Sequence, residues 1–153
     1  MALTLTLKPN ERIVVNGCAM RNSGRRHVIM IESHADVIRG QDLLDENDAA
    51  TPVGKAYFLI QTVLIQADLR EKLIPVIQQN LAALATVFGG DNLLRIFEAA
   101  NYVSQADYYK ALRALRAVMK HEARLLAGLA AADSPQVAAP DQAQDQATES
   151  GAR

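Results

Sequence analysis

Residues 12–20 have the sequence RIVVNGCAM, in which an Asn-Gly pair separates two short apolar runs. Asn16 and Gly17 both tolerate positive φ, and such a pair between apolar runs is a strong short-range signal for a β-hairpin. Ile13-Val14-Val15 supplies a β-branched strand, and Cys18-Ala19-Met20 supplies the strand that returns. The centre of the N-terminal segment is therefore predicted to be a tight hairpin.

The residues on both sides of this hairpin continue the strand pattern. Leu3, Leu5 and Leu7 alternate with threonines, the period of two that indicates a half-buried strand. Pro9 then ends that strand, because proline fixes φ and lacks the ladder donor. After a second turn at 22–24, the runs 27–31 and 36–39 complete the pattern of a small antiparallel sheet. The sequence predicts an antiparallel β element over residues 2–39.

From residue 51 the apolar spacing changes to that of helices. The acidic connector, residues 40–51, carries four acids and no base between 41 and 50. Thr51 is the expected N-cap of the first helix and Pro52 its first residue. The helical region, residues 52–132, is predicted to form a four-helix bundle, because apolar residues recur every three or four positions up to about Leu129.

The boundaries of the later helices depend on proline and glycine. A second helix at about 67–88 contains Pro75, which is expected either to kink it or to move its start later. Gly89-Gly90 ends that helix, and Asp91 is the expected cap of the third, whose apolar residues include Leu94 and Phe97. The fourth is predicted from about Ala106 to Leu129.

The tail, residues 133–153, has Val137 as its only branched apolar residue. A segment with so little apolar surface cannot offset its ordering entropy, so we expect it to be disordered. The predicted fold class is α+β: a small N-terminal antiparallel β element, a four-helix C-terminal bundle and a disordered tail.

Composition limits the class of protein further. A chain of 153 residues, 50% of them hydrophobic, suits one globular domain. Its single cysteine, Cys18, excludes an internal disulfide framework and fits a reducing compartment, and we expect it to be buried in its strand. There is no apolar run near the roughly 20 residues of a membrane span. We expect no secretory signal, because residues 1–10 have no charged region that leads a long apolar stretch. We therefore expect a cytoplasmic protein that does not interact with membranes.

No residue pattern indicates catalysis or a cofactor. His121-Glu122 begins like a zinc-protease motif, but Leu125 stands where the second histidine is required. The glycine-rich strings that bind nucleotide phosphates do not occur in the sequence. The predicted protein is not an enzyme and has no cofactor, metal or small-molecule substrate.

Positive charge is concentrated in two groups. The first surrounds the turn after Met20 and comprises Arg21, Arg25 and Arg26, whose guanidiniums can contact phosphates in bidentate geometry. The alternative for this group is a solvated hairpin tip. The second group lies on one face of the predicted fourth helix: Lys110, Arg113, Arg116, Lys120 and Arg124. Such a stripe can follow a nucleic-acid backbone, and it is equally typical of the exposed face of an amphipathic helix.

The aromatic residues do not add to either group. The basic N-terminal segment has none, so RNA recognition there would rely on arginine, backbone and shape instead of base stacking. Most aromatics are at helical positions expected in the core, namely Tyr57, Phe58, Phe88 and Phe97.

The string LKPNERIVVNGCAMRN at 7–22, followed by Arg25-Arg26, Ile31-Glu32 and Arg39, resembles the N-terminal pattern of the FlbT family of flagellin-synthesis regulators. The similarity covers about residues 2–126, and Asn10 stands where the family has glycine. The resemblance implies a post-transcriptional regulator that associates with the 5′ untranslated region of flagellin mRNA. It would control translation and decay of that message, with repression as the default and activation as the other option. A FlaF-type protein is implied as an antagonistic partner.

A weaker similarity is to the RNA-binding carbon-storage regulator CsrA, through Val37-Ile38-Arg39 followed by Leu43-Leu44. This similarity implies that Arg39 and the first strand contact RNA, and that two chains intertwine to form the sheet. We also predict a homodimer because a small sheet leaves edges that are commonly managed by pairing.

The predicted RNA-facing surface lies at the strand ends and comprises Lys8, Arg12, Arg25, Arg26 and Arg39. The stripe on the fourth helix is the second choice. The alternative function is that of a protein-interaction adaptor or chaperone-like factor in flagellar assembly that does not bind RNA directly. In that case the apolar helical half, which includes Met119, would bind a flagellar protein.

Overall fold

A computed structural model describes residues 2–133, so the predicted disorder from residue 134 onward lies outside the described residues. The strands are β1 (Leu3–Leu7), β2 (Arg12–Val15), β3 (Cys18–Arg21), β4 (His27–Ile31) and β5 (Val37–Arg39). The helices are α1 (Pro52–Ile65), α2 (Arg70–Ala85), α3 (Gly90–Ser104) and α4 (Tyr108–Asp133), with short 3-10 turns at Gly40–Asp42, Glu46–Asp48 and Ala67–Leu69. The predicted α+β class is confirmed.

The five strands are divided between two antiparallel sheets, which corrects the expectation that they form one sheet. β1 pairs antiparallel with β4, and β2 lies between β3 and β5. The reason lies in β2, where Ile13 and Val14 are both buried although neighbouring residues of a strand point to opposite faces. Val14 belongs to the helical core, whereas Ile13 is buried outside it, as are Leu5 and Leu7 of β1. β2 is thus covered on both faces.

The Asn-Gly turn is confirmed and also contacts the helices. Asn16 has a φ of 47° and Gly17 a φ of 80°, as a tight hairpin requires. The Asn16 side chain accepts a hydrogen bond of 2.9 Å from the Asp36 amide. A Cβ atom on Gly17 would lie 2.8 Å from the carbonyl oxygen of Leu64. The hairpin tip therefore rests on the end of α1, and only glycine fits there. Asn10 also adopts a positive φ, of 61°.

Cys18 is exposed, which corrects the expectation of a buried strand cysteine. It begins β3, an edge strand whose four residues are all exposed. β3 pairs with β2 on one side only, so its position at the edge of the sheet leaves it exposed.

Two residues cap the start of α1: Thr51, as predicted, and Glu122, which is distant in the sequence. The Thr51 hydroxyl accepts a 3.0 Å hydrogen bond from the Gly54 amide. Glu122, buried in α4, accepts a 3.2 Å hydrogen bond from the Val53 amide. Two amides that the helix itself leaves unpaired are thereby satisfied.

The other helices depart from the predictions at their ends and faces. α2 begins at Arg70, before Pro75, so the proline lies inside the helix and does not mark its start. α3 begins at Gly90 with Gly89 as N-cap, and Asp91 is a first-turn residue instead of the cap. At the end of α3, Ala106 has a φ of 58° in the turn to α4.

The face of α3 expected to be buried is the exposed one. Leu94 is 61% exposed and Phe97 is 56% exposed, while Ile96, Ala99 and Val103 are buried. α3 packs against both α2 and α4, which also flank α1. The exposed residues Leu94 and Phe97 and the buried residues Ile96, Ala99 and Val103 both have helical spacing. The buried set contains the small Ala99, which fits between two helices. Within residues 2–133 no helix is long and apolar enough to cross a membrane.

Candidate nucleic-acid interface

The side chain of Asn22 draws together three segments of the β element. Its amide nitrogen donates hydrogen bonds to the carbonyls of Leu7 (3.3 Å), Lys8 (2.9 Å) and Arg25 (2.8 Å). Its backbone amide donates to the Glu11 carbonyl at 2.9 Å. The ends of β1 and β3 and the starts of β2 and β4 therefore meet at one residue.

Five basic residues lie at this meeting point, which we call the basic end: Lys8, Arg12, Arg21, Arg25 and Arg26. Arg12 lies directly opposite Arg21 in the β2–β3 hairpin. Leu7 pairs with His27, so Lys8 and Arg26 are adjacent just beyond that pair. The structure thus brings together four of the five residues of our first-choice surface and adds Arg21. The signal for Arg21 was present in the sequence, because the Asn-Gly turn fixes the register that places it against Arg12.

Most of this charge is uncompensated. Arg12 is the exception, since its guanidinium lies 3.4 Å from the Asp45 carboxylate of the acidic connector. Both of those side chains are largely exposed, at 41% and 72%, so the pair is weak and solvent-screened. Among residues 2–133, the side chains of Lys8, Arg21, Arg25 and Arg26 form no ion pair within 4 Å, although the charge of Lys8 helps to lower the pKa of the nearby Glu11.

Arg39, the remaining first-choice residue, is bound to the protein itself. Its Nη2 atom lies 2.8 Å from Glu11 Oε1 and donates at 2.9 Å to the Thr6 carbonyl. The Lys8 backbone amide and the Arg39 side chain, in that order, hold the pKa of Glu11 below its usual value. Arg39 therefore joins β5 to β1, and a phosphate would have to displace Glu11 to reach it.

The stripe on α4 is interrupted at its middle residue. Lys110, Arg113, Lys120 and Arg124 are exposed, but Arg116 is half-buried between the connector and the bundle. Its guanidinium lies 3.5 Å from the Asp42 carboxylate, and its Nε donates to the Tyr57 hydroxyl at 3.3 Å. The Tyr57 hydroxyl in turn donates to the Asp42 carbonyl, and burial raises the pKa of Tyr57. Arg116 therefore holds the connector in place.

Two cations of the stripe line a groove between α3 and α4 instead. The groove has a volume of about 340 Å³, and its walls include Lys110 and Arg113 from α4 and Arg95 from α3. Lys110 lies 3.4 Å from Asp107 and 5.8 Å from the centre of the Tyr102 ring, so its charge is partly compensated. Arg95 was missed from the sequence because it stands alone on α3.

The His121-Glu122 pair has a structural role. The His121 ring packs edge-on to Phe88, with 6.3 Å between ring centres, and Glu122 caps α1. In the part of the chain that the structure describes, no group of three or more His, Cys, Asp or Glu residues could hold a metal ion.

Comparison with known proteins places this arrangement in a family. The profile of the family described as "Flagellar protein FlbT" matches residues 3–126. The "Probable flagellum biosynthesis repressor protein FlbT" of Rhodopseudomonas palustris (strain TIE-1) is 32% identical over 130 residues, 82% of this chain and 98% of that protein.

Two Caulobacter proteins are similar over nearly the same span. The "Probable flagellum biosynthesis repressor protein FlbT" of Caulobacter sp. (strain K31) is 28% identical over 80% of this chain and 94% of its own length. The "Flagellum biosynthesis repressor protein FlbT" of Caulobacter vibrioides (strain ATCC 19089 / CIP 103742 / CB 15) is 28% identical over 80% of this chain and 87% of its own. No solved structure matches the chain. A match over most of the chain, which includes the β element, α1, α2, α3 and α4 as far as residue 126, shows that this protein belongs to the FlbT family.

Proposed function

We propose that this protein is a cytoplasmic regulator of flagellum biosynthesis that binds the 5′ untranslated region of flagellin mRNA through its basic end. The names of the relatives support a repressor role in flagellum biosynthesis. The observation that carries RNA binding is the cluster of unpaired Lys8, Arg21, Arg25 and Arg26, gathered by the hydrogen bonds of Asn22.

The mode of binding follows from the residue types at the basic end. Guanidinium groups donate paired hydrogen bonds to phosphate oxygens, and the sequence supplies no Phe, Tyr or Trp ring there for base stacking. Recognition therefore rests on the backbone and shape of the leader. Bound protein would occlude the leader from the ribosome and alter its exposure to nucleases, which changes translation and decay without any catalytic step. A FlaF-type protein acting as antagonist would compete for the regulator or its RNA.

The second candidate is an adaptor or chaperone-like factor that binds a flagellar protein. The specific observation in its favour is the exposed pair Leu94 and Phe97, one helical turn apart on α3. Salt separates the two functions, because phosphate contacts release counterions on binding whereas an apolar contact responds weakly to salt.

We also propose that the protein acts as a homodimer. β1 and β4 form a sheet of two strands, so within residues 2–133 β4 has a free edge, and free strand edges are commonly managed by pairing. A second chain would supply the strand that pairs with this edge.

The test is the salt dependence of binding to a flagellin leader RNA, measured by fluorescence anisotropy. The Arg25→Ala/Arg26→Ala double variant should bind more weakly, and its log affinity against log salt should be flatter by about one to two. The matched control is Lys55→Ala/Lys72→Ala, which removes two exposed charges from α1 and α2 and should bind as the wild type does.

Three results would decide against the basic end. Equal affinity and slope for the arginine variant and the wild type would move the contact to α4. An equal loss in the lysine control would show only a general effect of net charge. Wild-type protein that binds a FlaF-type protein but no leader RNA at low salt would favour the adaptor function.

A further inference from the structure

The outer edge of β4 has no strand beside it within residues 2–133. β4 pairs with β1 on one side, and the two strands form a sheet by themselves. Its sequence, HVIMI, contains no proline or lysine and no charge that would block another strand. Natural proteins rarely leave an apolar strand edge unprotected, because its free amides and carbonyls invite pairing.

The outward face of this strand is also apolar and uncovered. Leu5 and Leu7 of β1 are buried, and their cross-strand partners Ile29 and His27 share that inner face. Val28 and Met30 therefore point outward, where they are 65% and 62% exposed. Within residues 2–133, nothing covers the exposed Val28 and Met30 side chains or pairs with the free edge of β4.

The sequence around β4 is complementary in charge and apolar character to a second, antiparallel copy of itself. Residues 26–32 are RHVIMIE, so Arg26 and Glu32 stand three residues on either side of Ile29. In an antiparallel pair of identical strands centred on Ile29, Arg26 lies opposite Glu32 of the other copy, and Val28 lies opposite Met30. Opposite charges and apolar pairs facing each other across two strands stabilise antiparallel pairing. The twofold symmetry gives each of these pairs twice.

We propose that β4 is the dimer strand: two copies of the chain pair antiparallel along β4, with the twofold axis at Ile29, to form the four-stranded sheet β1-β4-β4-β1. This inference rests on the homodimer proposed above and names its surface. It shares Arg26 with the proposed RNA surface: in the dimer Arg26 pairs with Glu32 of the other copy, and Lys8, Arg21 and Arg25 remain for phosphates. The anisotropy titration therefore also uses Arg21→Ala/Arg25→Ala, a double variant that leaves the β4 pairing intact.

The first experiment is a charge swap measured by sedimentation equilibrium on the full chain. Glu32→Arg places arginines opposite each other at both ends of the pairing, and Arg26→Glu does the same with glutamates. Each single variant should weaken the dimer about tenfold or more, and the double variant Arg26→Glu/Glu32→Arg should restore it. Arg21→Glu makes the same charge reversal on β3, an edge strand of the second sheet. It is the matched control and should leave the dimer constant unchanged. Circular dichroism confirms that each variant is folded.

The second experiment tests the register by a disulfide. In a Cys18→Ser background, Ile29→Cys places two cysteines opposite each other on the twofold axis, where antiparallel Cα atoms are about 4.5–5.5 Å apart and within disulfide range. It should crosslink under mild oxidation, whereas Met30→Cys, whose counterpart is Val28, should crosslink far less.

The outcomes distinguish the proposal that the protein is a homodimer from the proposal that the two chains pair along β4. A wild-type chain that stays monomeric at about 100 µM, near the micromolar-to-millimolar range of weak association, overturns both the dimer and the β4 pairing. A wild-type dimer that ignores the charge swap and forms no disulfide at position 29 overturns the β4 pairing and leaves the dimer on another surface. RNA binding is judged by the anisotropy titration alone.

Discussion

Replacement of Glu122 by alanine should destabilise the protein more than any exposed glutamate does. Glu122 is only 7% exposed, and its carboxylate accepts a hydrogen bond from the Val53 amide at the N-terminus of α1. A hydrogen bond to a charged group contributes about 1.5–3 kcal/mol, and a negative charge at a partly buried helix N-terminus contributes up to about 2 kcal/mol. These two contributions overlap, so the expected loss is about 3 kcal/mol.

The measurement is equilibrium denaturation by urea, followed by circular dichroism. Glu122→Ala should lower the midpoint without changing the slope, and the melting temperature should fall by roughly 10 °C for a chain of this size. Glu122→Gln keeps an acceptor oxygen and loses the charge, so its loss should be smaller, about 1 kcal/mol. Glu98→Ala is the matched control, because Glu98 is an exposed residue inside α3 and its loss should stay within about 0.5 kcal/mol.

Hydrogen exchange gives a local check on the same reasoning. In Glu122→Ala the amide of Val53 should exchange faster relative to amides in the middle of α1, because its acceptor is gone. The reasoning is refuted if Glu122→Ala is no less stable than Glu98→Ala, or if the alanine and glutamine variants are equally stable.

Three further predictions concern the backbone and pH. Gly17→Ala should cost about 2 kcal/mol or more, because the new Cβ meets the Leu64 carbonyl at 2.8 Å and φ is positive; a variant as stable as the wild type in urea would contradict the docking of the hairpin on α1. Ala106→Gly should stabilise the protein by about 0.5–1 kcal/mol in the same assay, since Ala106 has a φ of 58° that glycine adopts without strain, and a loss would show that its methyl group matters. The lowered pKa of Glu11 means that its contribution to stability is present above the ordinary pKa of 4.5 and is lost as pH falls through the folded value. NMR titration of Arg39→Gln should show the Glu11 pKa raised but still below 4.5, because the Lys8 amide remains; an unchanged pKa would exclude Arg39 as a cause.

The parts of the fold that could be predicted are those set by local chemistry. The Asn16-Gly17 turn, the Thr51 cap and the change from strand to helix spacing each depend on residues close together in the sequence. The buried face of α3 could not be predicted in this way. Two stripes have the right period, and the choice between Phe97 and Ala99 is made by two helices that lie on either side of α3.

In the candidate site, too, the features set by residues close together in sequence could be predicted and those set by distant residues could not. The cluster of Lys8, Arg25 and Arg26 was predicted because turns and strand ends bring nearby residues together. The ion pairs of Arg39 and Arg116 could not be predicted, because their partners Glu11 and Asp42 are distant in sequence. A pattern of cations shows where charge lies along the chain, and only the fold shows which charges are already paired.

The hydrogen bond between Val53 and Glu122 joins residues 69 positions apart. At translation rates of about 5–20 residues per second, roughly 3–14 seconds separate the synthesis of its two partners. The β element is complete before that interval begins, and the rest of α1, all of α2 and α3 and the first half of α4 are synthesised during it, while the first turn of α1 has no acceptor for the Val53 amide. A nascent chain that ends just before residue 122 therefore contains complete α1, α2 and α3, but the buried N-terminus of α1 still lacks the carboxylate that caps it.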